Sequence, residues 1–148
     1  MEIERKFTLK KLPENLESFP FHIIEQAYLN TDPVLRIRRQ DNDFFLTYKG
    51  TGMMAREEYN LPLNQSSYEH LLAKADGNII SKKRYLIPCD PYTIELDVFG
   101  PPFSDLIMAE VEFSSEQEAK AFVPPEWFDQ DVTFNPAYHN SNMSKMKL

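Results

Sequence analysis

The segment at residues 2–7 alternates charged and apolar side chains in the reverse of the usual order for a half-buried strand. Side chains on a β-strand point to opposite faces in turn, so Glu2, Glu4 and Lys6 share one face and Ile3 lies on the other. Carboxylates two residues apart on a strand suit a hard cation, because Mg²⁺, Mn²⁺ and Ca²⁺ prefer oxygen ligands. A solvated sheet face has the same pattern, so its repetition along the chain carries the argument for a site.

Most of the stretches that the sequence predicts as strands repeat this alternation. Residues typical of turns separate them, among them Asp32-Pro33 and Gly50-Thr51-Gly52. No repeat divides the chain, so residues 1–148 are predicted to form one domain. The predicted strands cover residues 2–7, 21–29, 34–40, 44–49, 55–63, 79–87, 93–99 and 106–113.

A few helices accompany the strands. Residues 66–75 carry apolar side chains at helical spacing, with Ser66 or Ser67 as the expected N-cap and Gly77 as the stop. A capping box at residues 115–118 opens a second, short helix that ends near residue 122. The tail predicts a short strand near Val132 and a helix from about Asn140, with Met143, Met146 and Leu148 packing on the outside.

Composition excludes several classes of protein. The only cysteine is Cys89, which rules out an intramolecular disulfide and Cys-rich zinc sites. The net charge of −7 disfavours a general affinity for nucleic acid or anionic lipid, although it leaves room for a local basic site. No apolar run approaches the ~20 residues of a membrane span, and acidic residues near the N-terminus are wrong for a signal peptide, so a cytoplasmic location is expected.

Acidic and basic side chains that share a face are equally numerous, seven of each. About eight strands can close into a barrel with a narrow interior, and closure would turn the charged face into a lumen. Enclosed charges are costly unless they pair, bind metal or bind a charged ligand. The acids are Glu2, Glu4, Glu58, Glu95, Asp97, Glu110 and Glu112, and the bases are Lys6, Arg36, Arg38, Lys49, Arg56, Lys82 and Arg84.

Such a lining suits a complex between a divalent metal and a polyanion. Acidic pairs collect the cations, while arginine and lysine from neighbouring strands collect phosphate oxygens. No glycine-rich phosphate cradle occurs, so phosphate binding would depend on side chains alone. The lining therefore suits a polyanion–metal complex, such as a triphosphate-bearing small molecule with Mg²⁺ or Mn²⁺.

An ordered series of motifs carries a resemblance to a known family. Glu2-Ile3-Glu4-Arg5-Lys6 resembles the ExExK signature of the CYTH superfamily, the triphosphate tunnel metalloenzymes. The resemblance implies an α+β, mainly β fold: an eight-stranded antiparallel closed barrel, or tunnel, with a charged lumen and a few flanking helices. The later motifs, in order, are Gln26-x-Tyr28-Leu29, Leu35-Arg36-Ile37-Arg38, Thr47-x-Lys49-Gly50, Arg56-x-Glu58, Lys82-x-Arg84, Glu95-x-Asp97 and Glu110-Val111-Glu112-Phe113.

The resemblance also implies roles for individual residues. Lys6, Glu58 or Asp97 would orient the attacking water, and Asn60 departs from the family's acidic series, which weakens a second metal site. The metal ligands would be Glu2, Glu4, Glu110 and Glu112, with Glu58 and Asp97 near a second metal or the water. The phosphates would be held by Arg36, Arg38, Lys49, Lys82 and Arg84, assisted by Lys6 and Arg56.

Several functions remain open at this stage. The chain is short for the family, which favours inorganic triphosphate over polyphosphate, thiamine triphosphate, nucleoside triphosphates or an RNA 5′-triphosphate. A class IV-type adenylate cyclase is the alternative enzyme. A non-catalytic module that binds polyphosphate or nucleotides, and an open sheet with a protein-interaction role, are the alternatives without catalysis.

Overall fold

The alternating strands form a curved antiparallel sheet in the computed structural model, which describes residues 1–147. None of the helices in that range is long and apolar enough to cross a membrane. The helices are α1 Gln65–Leu72, α2 Glu116–Ala121 and α3 Asn140–Met143, with 3-10 turns at Leu16–Ser18 and Pro136–Tyr138. The strands are β1 Glu2–Leu9, β2 Phe21–Thr31, β3 Val34–Gln40, β4 Asp43–Lys49, β5 Ala55–Arg56, β6 Glu58–Leu63, β7 Asp76–Cys89, β8 Tyr92–Phe99, β9 Ile107–Glu112 and β10 Phe128–Asp131.

The order of strands in the sheet is β10-β1-β9-β8-β7-β2-β3-β4-β6. The prediction of a mainly β, antiparallel fold with few helices is confirmed, and the predicted barrel holds approximately, because the sheet is not closed. The expected strand at residues 55–63 is broken at Glu57, so β5 pairs with β1 while β6 pairs only with β4. The sheet therefore curls into a cup whose hydrogen-bonded ladder stays open between β6 and β1.

The two faces of the sheet have the polarity that the alternation predicts. On the convex face, Ile3, Phe7 and Val111 pack beneath α2, which contributes the buried Ala119. α1 covers a second apolar area beside β2 and β3. Because helices cover the apolar face, the charged face is left on the concave side, called here the lumen.

The helix ends follow local hydrogen-bonding rules, with one correction. α2 begins after Ser115, whose side chain accepts a hydrogen bond from the Glu118 amide, as predicted. α1 begins earlier than predicted, because Asn64 rather than Ser66 or Ser67 is its N-cap and accepts from the Ser67 amide at 2.7 Å. Gly77, the expected stop, is instead the second residue of β7.

The C-terminal segment, residues 132–146, closes one end of the lumen. The expectation that its methionines pack on the outside is wrong for Met143, which is 1% exposed among inward-facing apolar residues; Leu148 lies outside the described residues. Gly77 has φ +74°, and a Cβ there would lie 2.1 Å from the Ser144 carbonyl oxygen, so only glycine permits this close approach. The cluster behind α3 contains Tyr28, Val34, Ile80, Phe99, Met108 and Val132.

Candidate functional site

A cavity of about 320 Å³ occupies the lumen. Every residue that the sequence predicts for the site lines it, except Asp97. Glu112 lies exposed near its edge, whereas Glu4, Lys6 and Glu110 are buried. The lining includes Glu2, Glu4, Lys6, Arg36, Arg38, Lys49, Arg56, Glu58, Lys82, Arg84, Glu110 and Glu112.

Lys49 joins two carboxylates on neighbouring strands. Its Nζ lies 2.7 Å from Glu2 Oε1 and 3.1 Å from Glu58 Oε2. Burial and the second carboxylate of its own strand raise the pKa of Glu2 to about 8. Burial also acts to raise the pKa of Glu58, but hydrogen bonds with Glu2 and attraction to Lys49 outweigh it and lower that pKa to about 2. A single lysine ammonium group therefore contacts both carboxylates, and its one positive charge does not balance two negative charges.

Lys6 joins the next pair of carboxylates. Its Nζ lies 2.8 Å from Glu110 and 3.8 Å from Glu4. Burial and the charge of Glu110 raise the pKa of Glu4. At the edge of the lumen, burial and the charges of Glu95 and Glu58 raise the pKa of Glu112. This region carries an excess of crowded negative charge.

The crowded carboxylates fit a hard divalent cation in kind. Oxygen donors are the ligands that such ions prefer, and a divalent charge relieves the repulsion that raises the pKa values. Among residues 1–147, no three His, Cys, Asp or Glu side chains converge closely enough to hold a metal as they stand. Lysine ammonium groups lie between the acids and keep them apart.

Asp97 lies behind the lining rather than in it. Its carboxylate is 2% exposed and accepts from Arg84 Nε at 2.8 Å and Nη2 at 2.9 Å, while Lys82 Nζ lies 2.9 Å away. Burial acts to raise its pKa, but Arg84 and Lys82 outweigh burial and lower it. Arg84 also reaches Glu95 at 3.1 Å. Asp97 therefore positions the side chains of Arg84 and Lys82 at the lumen.

The two arginines of β3 differ from the other bases. Within residues 1–147, neither Arg36 nor Arg38 forms an ion pair with a carboxylate. Arg36 Nε is buried without a hydrogen-bond partner among the described residues, and Nη2 lies 3.4 Å from Thr47 Oγ1. Arg38 donates from Nε and Nη2 to the side-chain oxygen Oε1 of Gln26 at 2.8 and 2.6 Å. Burial, together with the charges of Arg36 and Arg84, lowers the pKa of Arg38 to about 9.

Three polar residues contribute to the site although the sequence did not predict a role for them. Gln26 is fully buried, and its place in the motif Gln26-x-Tyr28-Leu29 was the available signal. Asn60 accepts from Thr47 Oγ1 at 2.6 Å and donates to Glu58 at 2.9 Å, so it orients that carboxylate. Asn140 comes from the tail, where no periodic pattern indicates that its side chain enters the lumen.

The comparisons with known proteins agree with this geometry. The CYTH domain model matches residues 1–146, and the chain therefore belongs to the CYTH family. The inorganic triphosphatase of Nitrosomonas europaea is 38% identical over 97% of this chain and 96% of its own length. The inorganic triphosphatase of Acetivibrio thermocellus is 31% identical over 97% of this chain and 93% of its own.

Solved structures lead to the same family. The crystal structure of an inorganic triphosphatase matches with a TM-score of 0.74 and 34% identity, over 99% of this chain and 96% of that one. Triphosphatases of the CYTH family generally depend on a divalent metal. The crowded carboxylates of the lumen are the residues of this chain that fit such an ion.

Proposed function

We infer that the protein is a divalent-metal-dependent hydrolase that cleaves inorganic triphosphate to pyrophosphate and phosphate. The observation that carries this inference is the pair of arginines on β3, the buried Arg36 and the half-buried Arg38, neither of which has a carboxylate partner in the described chain. A buried positive charge without a counter-charge is unfavourable, so we expect the arginines to bind an anion. The crowded carboxylates opposite the arginines would bind a cation, and a metal triphosphate supplies both charges.

The carboxylates would divide the metal-binding work. Glu2, Glu4, Glu110 and Glu112 are the proposed ligands for Mg²⁺ or Mn²⁺, and Glu58 would lie near a second metal or the attacking water. A bound divalent ion would neutralise phosphate charge and lower the pKa of water. Asp97 was predicted to share this task, and its hydrogen bonds to Arg84 support a positioning role as well.

The basic residues would hold and neutralise the phosphoryl groups. Phosphoryl transfer needs positioning and charge stabilisation more than covalent help from the protein. Arginine offers a planar fork of donors, and Arg36 retains an unpartnered Nε in the described chain. Lys6, next to Glu110, or a carboxylate would orient the water. The remaining proposed phosphate ligands are Arg38, Lys49, Arg56, Lys82 and Arg84.

The lining favours an unsubstituted polyphosphate. Its aromatic members are Tyr28 and Phe45, and Tyr28 is 3% exposed and packs in the apolar cluster at the closed end. A nucleoside or thiamine ring would find little stacking surface among charged side chains. We propose inorganic triphosphate as the substrate and the cytoplasm as the location of the protein.

Phosphate release tests the proposal directly. Tripolyphosphate, ATP and pyrophosphate are each supplied with Mg²⁺, Mn²⁺ or EDTA, to wild type, Glu4→Gln and the exposed-site control Glu116→Gln. We expect metal-dependent cleavage of tripolyphosphate well above ATP, lost in Glu4→Gln and retained in Glu116→Gln. Cyclic AMP from ATP without phosphate release would identify a cyclase. Tight tripolyphosphate binding without turnover under any condition would identify a binding module.

A further inference from the structure

Asn140 places a neutral side chain at the inner end of the lumen. Its Oδ1 accepts from Lys82 Nζ at 2.7 Å and from Gln26 Nε2 at 2.9 Å. The residue is 7% exposed and lines the cavity. An amide oxygen thus occupies the position between these two donors.

The C-terminal segment holds Asn140 in this position from several sides. The Asn78 amide donates to the Ser144 carbonyl at 2.6 Å, and the Asn78 side chain donates to the carbonyls of Met143 and Met146. His139 Nε2 lies 2.8 Å from the Thr133 carbonyl oxygen. Behind Asn140, the apolar cluster around Met143 fills the end of the sheet. The lumen is therefore blind on this side.

Most hydrogen-bond donors at the blind end are already engaged. Gln26 uses Nε2 for Asn140 and Tyr28, and its Oε1 accepts from Arg38. Lys82 donates to Asp97 at 2.9 Å and to Asn140, which leaves one of its three N–H donors for an anion. An anion that enters the lumen thus meets the unpartnered Arg36 Nε of the described chain and the remaining donor of Lys82 beside Asn140.

We propose that Asn140 is a specificity-determining residue that forms the closed end of the site and accepts only an unsubstituted terminal phosphoryl group against it. A phosphate chain must then enter with one free end foremost. A chain with both ends esterified has no end small enough to reach the inner donors. This inference rests on the proposed polyphosphate-binding function, and it concerns binding rather than the chemical step.

Methyl esters of triphosphate test the proposal on the wild-type protein. The affinities of tripolyphosphate, monomethyl triphosphate and P1,P3-dimethyl triphosphate are measured by calorimetry, in EDTA and with Mg²⁺. The first methyl group should raise the dissociation constant less than about threefold, because the free end still enters the lumen. The second methyl group should raise it at least about tenfold. Equal losses for the two methyl groups would overturn the proposal, because each then removes only its share of charge.

Two alanine variants of the same short helix assign the effect to one side chain. Asn140→Ala removes the amide and leaves room for a methyl group, so the penalty for the second methyl group should disappear. Asn142→Ala is the matched control, since Asn142 is exposed and bonds to the Pro136 carbonyl outside the lumen. In Asn142→Ala, the loss of affinity caused by the second methyl group should equal that in wild type. An unchanged penalty in Asn140→Ala would contradict the assignment.

The ester series also separates this inference from the proposed activity. Wild type that binds tripolyphosphate and discriminates against the dimethyl ester, but releases no phosphate, would retain the closed end and refute the hydrolase. Wild type that hydrolyses tripolyphosphate, and that binds the dimethyl ester as tightly as tripolyphosphate, would support the hydrolase and refute the closed end. If Asn140→Ala fails to fold by circular dichroism, the wild-type ester series still decides the question.

Discussion

A neutral amide, rather than an acid, contacts the arginine that faces the inner end of the lumen. Gln26 accepts from two nitrogens of Arg38, whereas Lys82 donates both to Asn140 and to the carboxylate of Asp97. An amide oxygen can orient a cationic side chain without cancelling its charge. Arg38 is thereby positioned and still available to an anion. This separation of orientation from neutralisation makes the identity of Gln26 a sensitive point.

Gln26→Glu should weaken triphosphate binding although the side chain keeps its shape. The new carboxylate would form a bidentate ion pair with Arg38 and repel phosphate oxygens across the lumen. We expect the dissociation constant of tripolyphosphate to rise by at least about tenfold, measured by calorimetry. Gln130→Glu adds the same charge on the exposed surface and should change the affinity less than about twofold. A similar loss in both variants would mean that net charge, and not Arg38, is responsible.

Asp131, which immediately precedes the C-terminal segment, should make the stability of the protein depend on pH. Partial burial acts to raise its pKa, but hydrogen bonds from Thr133 and from Arg5 outweigh burial and lower it. A lowered pKa in the folded state stabilises the fold above the unfolded value near 3.8, and this contribution is lost as the pH falls through the folded value.

Asp131→Asn should therefore cost about 1 kcal/mol of unfolding free energy at pH 6, after allowance for its exposure to solvent. The gap from wild type should shrink below about pH 4 in urea denaturation, because both proteins then lack the charge. Asp129→Asn, on the same strand and exposed, should stay within about 0.5 kcal/mol of wild type. A gap that is constant with pH would show that the hydrogen bonds of Asp131 do not depend on its ionisation.

The residues of the site could be predicted where strand alternation decides their direction, and not elsewhere. Lys6, Arg36 and Glu110 enter the lumen because each shares a face with its strand's other charged side chains. Asp97 has the same phase but lies beneath two basic side chains, a matter of depth that alternation does not encode. Asn140 enters through docking of the tail, which depends on contacts distant in sequence.

At the scale of elements, local hydrogen bonds decide where helices start. The sequence favoured Ser66 or Ser67 as the cap of α1 because both precede the apolar pattern. The chain uses Asn64, whose side chain bonds to the amide three residues on, and the helix gains one residue at its start. Serine and asparagine are nearly equal caps, so composition alone could not choose between neighbouring positions.

Two alanine substitutions distinguish these caps. Asn64→Ala should lower the unfolding free energy by about 1 kcal/mol, because the Ser67 amide loses its acceptor. Ser66→Ala should be neutral or slightly stabilising, because the residue is exposed inside the helix and alanine has the higher helix propensity. Urea denaturation of the two variants beside wild type measures the difference. A larger loss for Ser66→Ala would mean that α1 begins later than in this structure.

The break at Glu57 is the element-scale feature that the sequence missed. Arg56, Glu58 and Asn60 share one phase, so a single strand was expected over residues 55–63, although Glu57 puts a charge in the other phase. In the structure the chain changes partner from β1 to β4 at this point, which leaves β6 mostly exposed and the ladder open. A change of strand partner depends on the curvature of the whole sheet, and one charged residue in the local pattern does not specify it.

The whole molecule inverts the usual arrangement of a small domain, since a charged interior is enclosed by a sheet whose apolar side faces outward beneath helices. Most of the inner charges pair with one another, but the two arginines of β3 do not. An uncompensated buried charge lowers the stability of the unliganded protein. Function and stability should therefore oppose each other at Arg36.

Arg36→Met tests this opposition across the whole molecule. The variant keeps an unbranched, flexible side chain and removes the buried charge, so the unfolding free energy without ligand should rise by roughly 1–2 kcal/mol. Tripolyphosphate at about 100 times its dissociation constant should stabilise wild type by about 2.7 kcal/mol and the variant hardly at all at the same concentration. Thermal unfolding with and without tripolyphosphate measures both effects in one series.

Arg5→Met is the control that separates a buried unpaired arginine from a paired one. Arg5 lies on the convex face and donates to the Ala119 and Phe122 carbonyls and to Asp131, so its removal should cost roughly 2–3 kcal/mol. Its stabilisation by tripolyphosphate should equal that of wild type, because the residue is outside the lumen. If Arg36→Met also proves destabilising while binding survives, the arginines of β3 are structural, and the anion site must be sought among the paired bases.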